Sequence, residues 1–424
     1  MNSNHLAVAL RVPLLCFVCL FAALSLPGAV LIPQGNSQDT LFLVVNQSGD
    51  LEKSGYSLRN AVAAANQHVG VTEIRIAPGL FRKKEKLVLC KVPLRVEPYT
   101  RLIIRGPGSE YLTLSGNHQN QLFDVASEAY LELRDLTLAE GRTAGDHYGL
   151  AGGAIHSKGT LVMKRCLVTN NIAAGWLGRG GGICNVGGVV VLEGCRLLGN
   201  TVIGGSQTSA GGGLYSKDGV VVIRNGTITG NRATGGTSNQ GAGIYCAGGV
   251  LEISNTHISE NVLTAGRDTH YGGGLYLESK EARLTDCSVA GNVIEGSAEN
   301  YGAGIYNRGS LHLAHCELKE NRTGKGQRNR GGGIYHSTGS LTLIQCSLNR
   351  NKASGGGLEN LGGGIYSFAD QVNIGHTAMY GNRAASLFSD MDGKLNSLGN
   401  NQISSMADII LMPKKTGIQI MVIR

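Results

Sequence analysis

Acid/base cleavage of a polymer needs two or three carboxylates that converge, either to exchange protons with the substrate or to hold Ca²⁺ beside an Arg or Lys. This chain offers its acids singly. Asp218, Asp268, Asp286 and Asp370 occupy unrelated positions in the repeat described below. Asp135 and Glu140, beside Arg134 and Arg142, come nearest to a cluster. Two acids among two bases also read as a surface ion-pair strip, which does no chemistry. His147, His156 and His270 are scattered, and neither Gly-x-Ser-x-Gly nor a phosphate loop is present. The one Cys-x-x-Cys, Cys16 to Cys19, lies inside an apolar run. We therefore assign no catalytic residue, no metal ligands and no cofactor.

Residues suited to binding are better represented. Tyr215, Tyr245, Tyr276, Tyr306, Tyr335 and Tyr366 recur at one repeat position, after His156 and Cys184. If strand alternation points them outward, they form an aromatic stripe on which sugar rings could lie. The alternative is a set of cross-coil pairs that stabilise the stack and are partly covered by loops. Basic residues cluster between 82 and 105: Arg82, Lys83, Lys84, Lys86, Lys91, Arg95, Arg101 and Arg105, against Glu85 and Glu97. A second group, Arg322, Lys325, Arg328 and Arg330, falls in one expected loop. With a net charge of +8, these read either as a landing surface for an acidic polymer or as solvated faces. No nucleic-acid-binding module is recognisable.

The elements that position these residues come from a repeat. Gly-Gly/Ala-Gly-Ile/Leu-Tyr is followed by a second apolar run and then by an aliphatic residue three before an Asn. The apolar residue after the glycines falls at Ile155, Ile183, Leu214, Ile244, Leu275, Ile305, Ile334 and Ile365. The Asn falls at Asn171, Asn200, Asn231, Asn261, Asn292, Asn321, Asn351 and Asn382. A near-constant period means one unit stacked on copies of itself. Within a unit, Leu311, Leu313, Cys316 and Leu318 alternate with polar residues, the period of a half-buried strand. Corners at Asn307-Arg308-Gly309 and Ala314-His315 divide the unit into three strands. Strands that cannot pair within a unit must pair with the next, which gives a parallel β-helix of about 30 residues per coil.

Several ladders follow from the period. Leu161, Val190, Val221, Leu251, Leu311 and Leu341 should stack inward, as should Cys166, Cys195, Gly226, Thr256, Cys287, Cys316, Cys346 and Thr377. The cysteines then read as buried free thiols rather than disulfides. The Asn series belongs at a bend, where Asn tolerates unusual backbone angles and its amide can bond the coils above and below. A leucine-rich repeat is the rival, but its helical half would have to be built from Arg232–Gln240 and Gly355–Leu361, rich in Gly, Ser, Thr and Asn. Upstream, Leu102–Gly106, Leu112–Leu114, Gln121–Val125, Tyr130–Leu133 and Leu136–Leu138 read as weaker coils. Ser57–Asn66 reads as a short helix that caps the open end.

Residues 1–29 read as an export signal: Arg11 is followed by the apolar run Val12–Leu26 and then Pro27-Gly28-Ala29. An uncleaved anchor is the alternative. The domain plan is thus a signal at 1–29, a cap and first coils at 30–100, the β-helix at 101–405 and a C-terminal tail at 406–424.

Gly152-Gly153-Ala154-Ile155 resembles the first half of the chlamydial polymorphic outer membrane protein repeat. That family's closing Phe is replaced by Val168, Leu197, Ile228, Ile258, Val289, Leu318, Leu348 and Met379. Tyr56-Ser57-Leu58-Arg59-Asn60-Ala61, with Ala65-Asn66, is similar to the Cys-Ser-Leu-Arg-Glu-Ala opening of exported bacterial β-helix proteins, with its Cys and Glu replaced. Ser397-Leu398-Gly399-Asn400-Asn401 looks like their closing segment. The resemblance implies a right-handed coil and a surface-displayed or secreted protein, often adhesive. It also implies a pectin lyase-like fold, on which a polysaccharide lyase or hydrolase is the alternative function. The membrane barrel that ends autotransporter members has no room after Ala385 in this sequence. The expected partner is a polysaccharide or an acidic surface polymer, with membrane contact only through the export segment.

Overall fold

The computed structural model describes residues 40–46, 50, 57–77, 85–90, 92–145, 152–205, 207–355, 357–369, 372–385, 387–404, 406–411 and 420–422. The export segment, Arg82, Lys83, Lys84, Lys91, His147 and Asp370 lie outside these residues. Among the described residues, no helix is long and apolar enough to cross a membrane.

The chain winds into a right-handed parallel β-solenoid of about 11 turns with about 30 residues per coil. One coil shows the pattern. Ile183–Val186 and Val189–Glu193 are followed by Arg196–Leu198, Thr201–Gly204 and Thr208–Ala210. A full coil therefore carries five strands, not the three expected. The two additional strands come from the polar segments taken for loops: Arg232–Thr234 and Ser238–Gln240 are ladder strands, and Glu359–Leu361 is another. Each pairs in register with its equivalent in the coil before, which satisfies its backbone. The five stacks are called here the first to fifth ladders, in the order of that coil. The corner expected at Asn307–Gly309 is no break. Strand Ile305–Ala314 runs through it, with a register irregularity between Asn307 and Arg308.

The inward stacks match the pattern. Leu161, Val190, Val221, Leu251, Ala282, Leu311, Leu341 and Val372 pair in register and are buried. Cys166, Cys195, Gly226, Thr256, Cys287, Cys316, Cys346 and Thr377 line the next corner, buried and without disulfides. Helix α1 (Leu58–Ala65) starts at Ser57, whose hydroxyl accepts from the Asn60 N–H. Its Leu58, Ala61, Val62 and Ala65 join the core of the first coils.

All eight Asn of the repeat are fully buried. Each Nδ2 donates to the carbonyl of a preceding coil and to Oδ1 of the next Asn. Asn261, for instance, bonds Ile228 O at 3.0 Å and Asn292 Oδ1 at 2.9 Å. The column ends on Asp390, whose Oδ1 accepts from Asn382 Nδ2 at 2.7 Å. The amides all point the same way, so a carboxylate meets the donor end of the column. The Asn do not themselves take unusual backbone angles, contrary to expectation. The residue before each one does: Asn170, Gly199, Gly230, Glu260, Gly291, Glu320, Arg350 and Gly381 have φ between 53° and 66°. The Asn amide instead supplies the hydrogen bonds of a turn whose left-handed residue is its neighbour.

Candidate functional site

The tyrosines do form one column. Cys184, Tyr215, Tyr245, Tyr276, Tyr306, Tyr335 and Tyr366 pair in register along the first ladder. Successive rings lie 4.7–5.3 Å apart at interplanar angles of 3–20°. They point away from the main core, as alternation requires. They are not an open platform, however, because the fifth ladder folds over them. Tyr271 meets Tyr306 edge-on at 4.8 Å, Tyr301 stacks on Tyr335 at 4.8 Å, and Arg330 lies over Tyr301 and Tyr366. Tyr215, Tyr276, Tyr306 and Tyr335 are buried, whereas Tyr245 and Tyr366 are half-buried. Their faces are occupied by one another. Burial pushes the Tyr215 and Tyr335 hydroxyls up to about 12. The cover was missed because its strands carry no alternation of apolar residues.

The described basic residues of the segment 82–105 fall on different ladders. Lys86 lies on the third ladder, exposed and 2.5 Å from Glu140. Arg95 lies on the first ladder, bonded to Glu97 and Asp124. Arg101 and Arg105 lie on the second. A strand-rich coil turns a run in sequence onto several faces. The same geometry builds a different basic site from residues about one coil apart. Arg75, Arg105, Arg134 and Lys164 occupy one register position on four successive second-ladder strands. Two acids lie beneath them. Glu73 Oε1 is 2.7 Å from Arg75 Nε and 2.9 Å from Arg105 Nε. Glu132 Oε1 is 2.5 Å from Arg134 Nε and 3.3 Å from Lys164 Nζ, while its Oε2 accepts from the Tyr130 hydroxyl. The Glu73 and Glu132 side chains are only 9% and 3% exposed, against 60%, 38%, 20% and 24% for Arg75, Arg105, Arg134 and Lys164. Four cations over two sunken carboxylates leave a positive stripe along the solenoid axis. Its sequence signal was a basic residue at each coil period in the weakly marked coils.

Asp135 makes a bidentate pair with Arg165, and Glu140 bonds Ser115 and Lys86 at a different corner, so these two acids enter separate ion pairs rather than one cluster with Arg134 and Arg142. Arg322 and Lys325 pair with Glu295, and Arg328 and Arg330 with Glu299 and Glu359. These four basic residues stand on and beside two separate strands, Arg322–Gly324 and Arg328–Arg330, rather than in one loop. Of the acids in the described residues, Asp124, Glu132, Glu140, Glu295 and Glu299 shift clearly, and all shift down. The bond from His156 does this for Asp124, Lys86 for Glu140 and Lys325 for Glu295. For Glu132 and Glu299, burial pulls upward and is outweighed by Arg134 and Arg328, each helped by a tyrosine hydroxyl. A general acid needs the opposite shift.

Two histidines are placed by the fold rather than by any motif. His156 is 1% exposed, and its Nδ1 lies 2.8 Å from Asp124 Oδ1. His270 is fully buried on the fifth ladder, in register with Asn239 and Asn300. Among the described residues, no group of three His, Cys, Asp or Glu is placed to hold a metal.

A family model described as a right-handed β-helix region matches residues 183–374. The fold is a right-handed β-helix. Three solved structures are similar to this chain at low identity. Tailspike protein 3 of bacteriophage CBA120 is 12% identical with a TM-score of 0.41, over 90% of this chain and 61% of that one. The catalytic domain of a GH87 α-1,3-glucanase in complex with nigerose is 12% identical with a TM-score of 0.35, over 93% and 70%. A mannuronic acid-specific polysaccharide family 6 lyase from the human gut microbiota is 12% identical with a TM-score of 0.28, over 88% and 91%. The chain thus spans about three fifths of the tailspike's length. No curated protein sequence matches the chain.

Proposed function

We propose that this is an exported, surface-held or secreted β-helix that binds an acidic polysaccharide without cleaving it. The observation that carries the reading is the stripe Arg75–Arg105–Arg134–Lys164. A parallel ladder repeats every ~4.8 Å, about one sugar ring, so a linear polyuronate lying along the axis meets a cation at each coil. Buried Glu73 and Glu132 fix the guanidiniums in place, which lowers the entropy lost when a flexible anion docks. The tyrosine column enters this reading only as scaffold.

The purified protein is passed over immobilised polygalacturonate, alginate and neutral dextran, scoring retention and chain length. Retention on the two acidic polymers, absent on dextran and lost with added salt, is expected. Arg75→Gln, Arg105→Gln and Lys164→Gln should each weaken retention by roughly two- to five-fold, the worth of an exposed ion pair. Equal retention on dextran would sink the proposal. Shortened chains would turn it into the carbohydrate-active enzyme alternative.

A further inference from the structure

The outward face of the second ladder changes character along the solenoid. Upstream it carries the cation stripe. It then turns aliphatic: Val162, Val189, Val191, Val220, Val222 and Val250 stand on four neighbouring strands at alternate positions that point away from the core. Val189, Val191, Val220 and Val250 are half-buried. A contiguous apolar patch on an outward sheet face marks a contact surface. Charged residues close it at both ends, with Glu132 and Lys164 upstream and Glu252 and Arg283 downstream. At its centre, exposed Glu193 makes no ion pair among the described residues and stands beside Arg224 of the following strand.

We propose that this face pairs with the same face of a second copy, about a two-fold axis parallel to the strands and midway between Val189–Glu193 and Val220–Arg224. Such an axis keeps strand direction and reverses coil order, so each residue meets the one at its own strand position on the corresponding coil. Val189 then meets Val220 of the second copy, and Val191 meets Val222. Glu193 meets Arg224, Glu132 meets Arg283 and Lys164 comes beside Glu252, each twice by symmetry. No position on the ten strands from Val71–Ile76 to Ile334–Ile344 is set against a like charge. An axis through either central strand would instead set Glu193 on Glu193 or Arg224 on Arg224. Ten strands ~4.8 Å apart and about five residues wide cover about 800 Å² on each copy, the share of a standard stable interface. The second copy lies over Arg75, Arg105, Arg134 and Lys164, so it and an acidic polymer exclude one another. That exclusion rests on the glycan reading above; the interface does not.

Sedimentation velocity of the purified protein over a micromolar to submillimolar range should show a monomer–dimer equilibrium. Glu193→Arg alone and Arg224→Glu alone set like charges at the centre, and each should weaken self-association by about tenfold or more. Mixed in equal amounts, the two variants should form a heterodimer about as tight as the parent dimer, because each supplies the charge that the other lacks. Mixing could not repair a folding defect in either chain. Val191→Lys should also be monomeric, and that arm decides the matter if a charge variant does not fold. Short oligogalacturonate should shift the parent protein toward monomer. A parent protein that stays monomeric, or a mixture that associates no better than its separate variants, would overturn the interface even if the polymer still binds. A dimer that takes up oligogalacturonate without dissociating would overturn the exclusion, and a dimer that binds none of it would overturn the glycan reading alone.

Discussion

At the scale of single residues, the fold rests on polar groups that it buries and then satisfies. Asn261 accepts from the Asn231 backbone N–H and from Asn231 Nδ2, both at 3.0 Å, and donates to Ile228 O and Asn292 Oδ1. Asn261→Ala strands those partners in a fully buried site, and urea denaturation should show a loss of about 2–4 kcal/mol. His270 is the titratable counterpart. Burial pushes its pKa down to about 4, so the native state holds it neutral while the unfolded chain protonates it more readily. Its stabilising contribution is complete above the unfolded value near 6.5 and is lost as pH falls toward the folded one, roughly 3 kcal/mol by pH 4. The urea midpoint of His270→Asn, which matches its neighbours Asn239 and Asn300, should fall less steeply between pH 7 and 4.5. An identical slope would show that this imidazole does not govern acid stability. Burial also pushes the Cys184 thiol up to about 12 and the Cys246 thiol up to about 11. Of the eight described cysteines only Cys90 is exposed. It alone should react with a thiol reagent at pH 8, the others reacting only after denaturation.

At the scale of elements, strand placement follows from pattern and corner placement from backbone conformation. The corners are unequal, and glycines tell them apart. A Cβ on Gly249 would lie 1.8 Å from Gly219 O of the coil before. Gly249→Ala must therefore prise two coils apart, at a cost near the upper end for overpacking, about 3 kcal/mol. Gly187 has φ +73° and nothing within 4 Å of a Cβ, so Gly187→Ala should cost only the left-handed conformation, about 1 kcal/mol. Thermal melts of the pair check both. The upstream strands were legible within a residue or two: Leu102–Gly106 was expected, and Arg101–Arg105 is found. The fourth and fifth ladders were not, because strands such as Ser238–Gln240 are polar and take their conformation from pairing with the coils on either side.

At the scale of the whole molecule, function belongs to ladders that run across coils, not to segments of chain. The described basic residues of 82–105 stand on three ladders, whereas Arg75, Arg105, Arg134 and Lys164, far apart in sequence, share one line. A neutralised protein with Arg75→Gln, Arg105→Gln and Lys164→Gln should stay folded but melt several degrees lower, because Glu73 and Glu132, only 9% and 3% exposed, lose charged partners while Gln still offers them a hydrogen bond. It should lose all retention on polygalacturonate. The sequence by itself determined the period, the strand alternation, the inward aliphatic and thiol stacks and the Asn column, because each is a local pattern repeated at a fixed interval. Only the tertiary structure decided which side chains meet solvent. The outward tyrosines are covered because polar strands, stabilised by neighbouring coils, fold back over them. The cations stand out because a buried carboxylate lies beneath each pair.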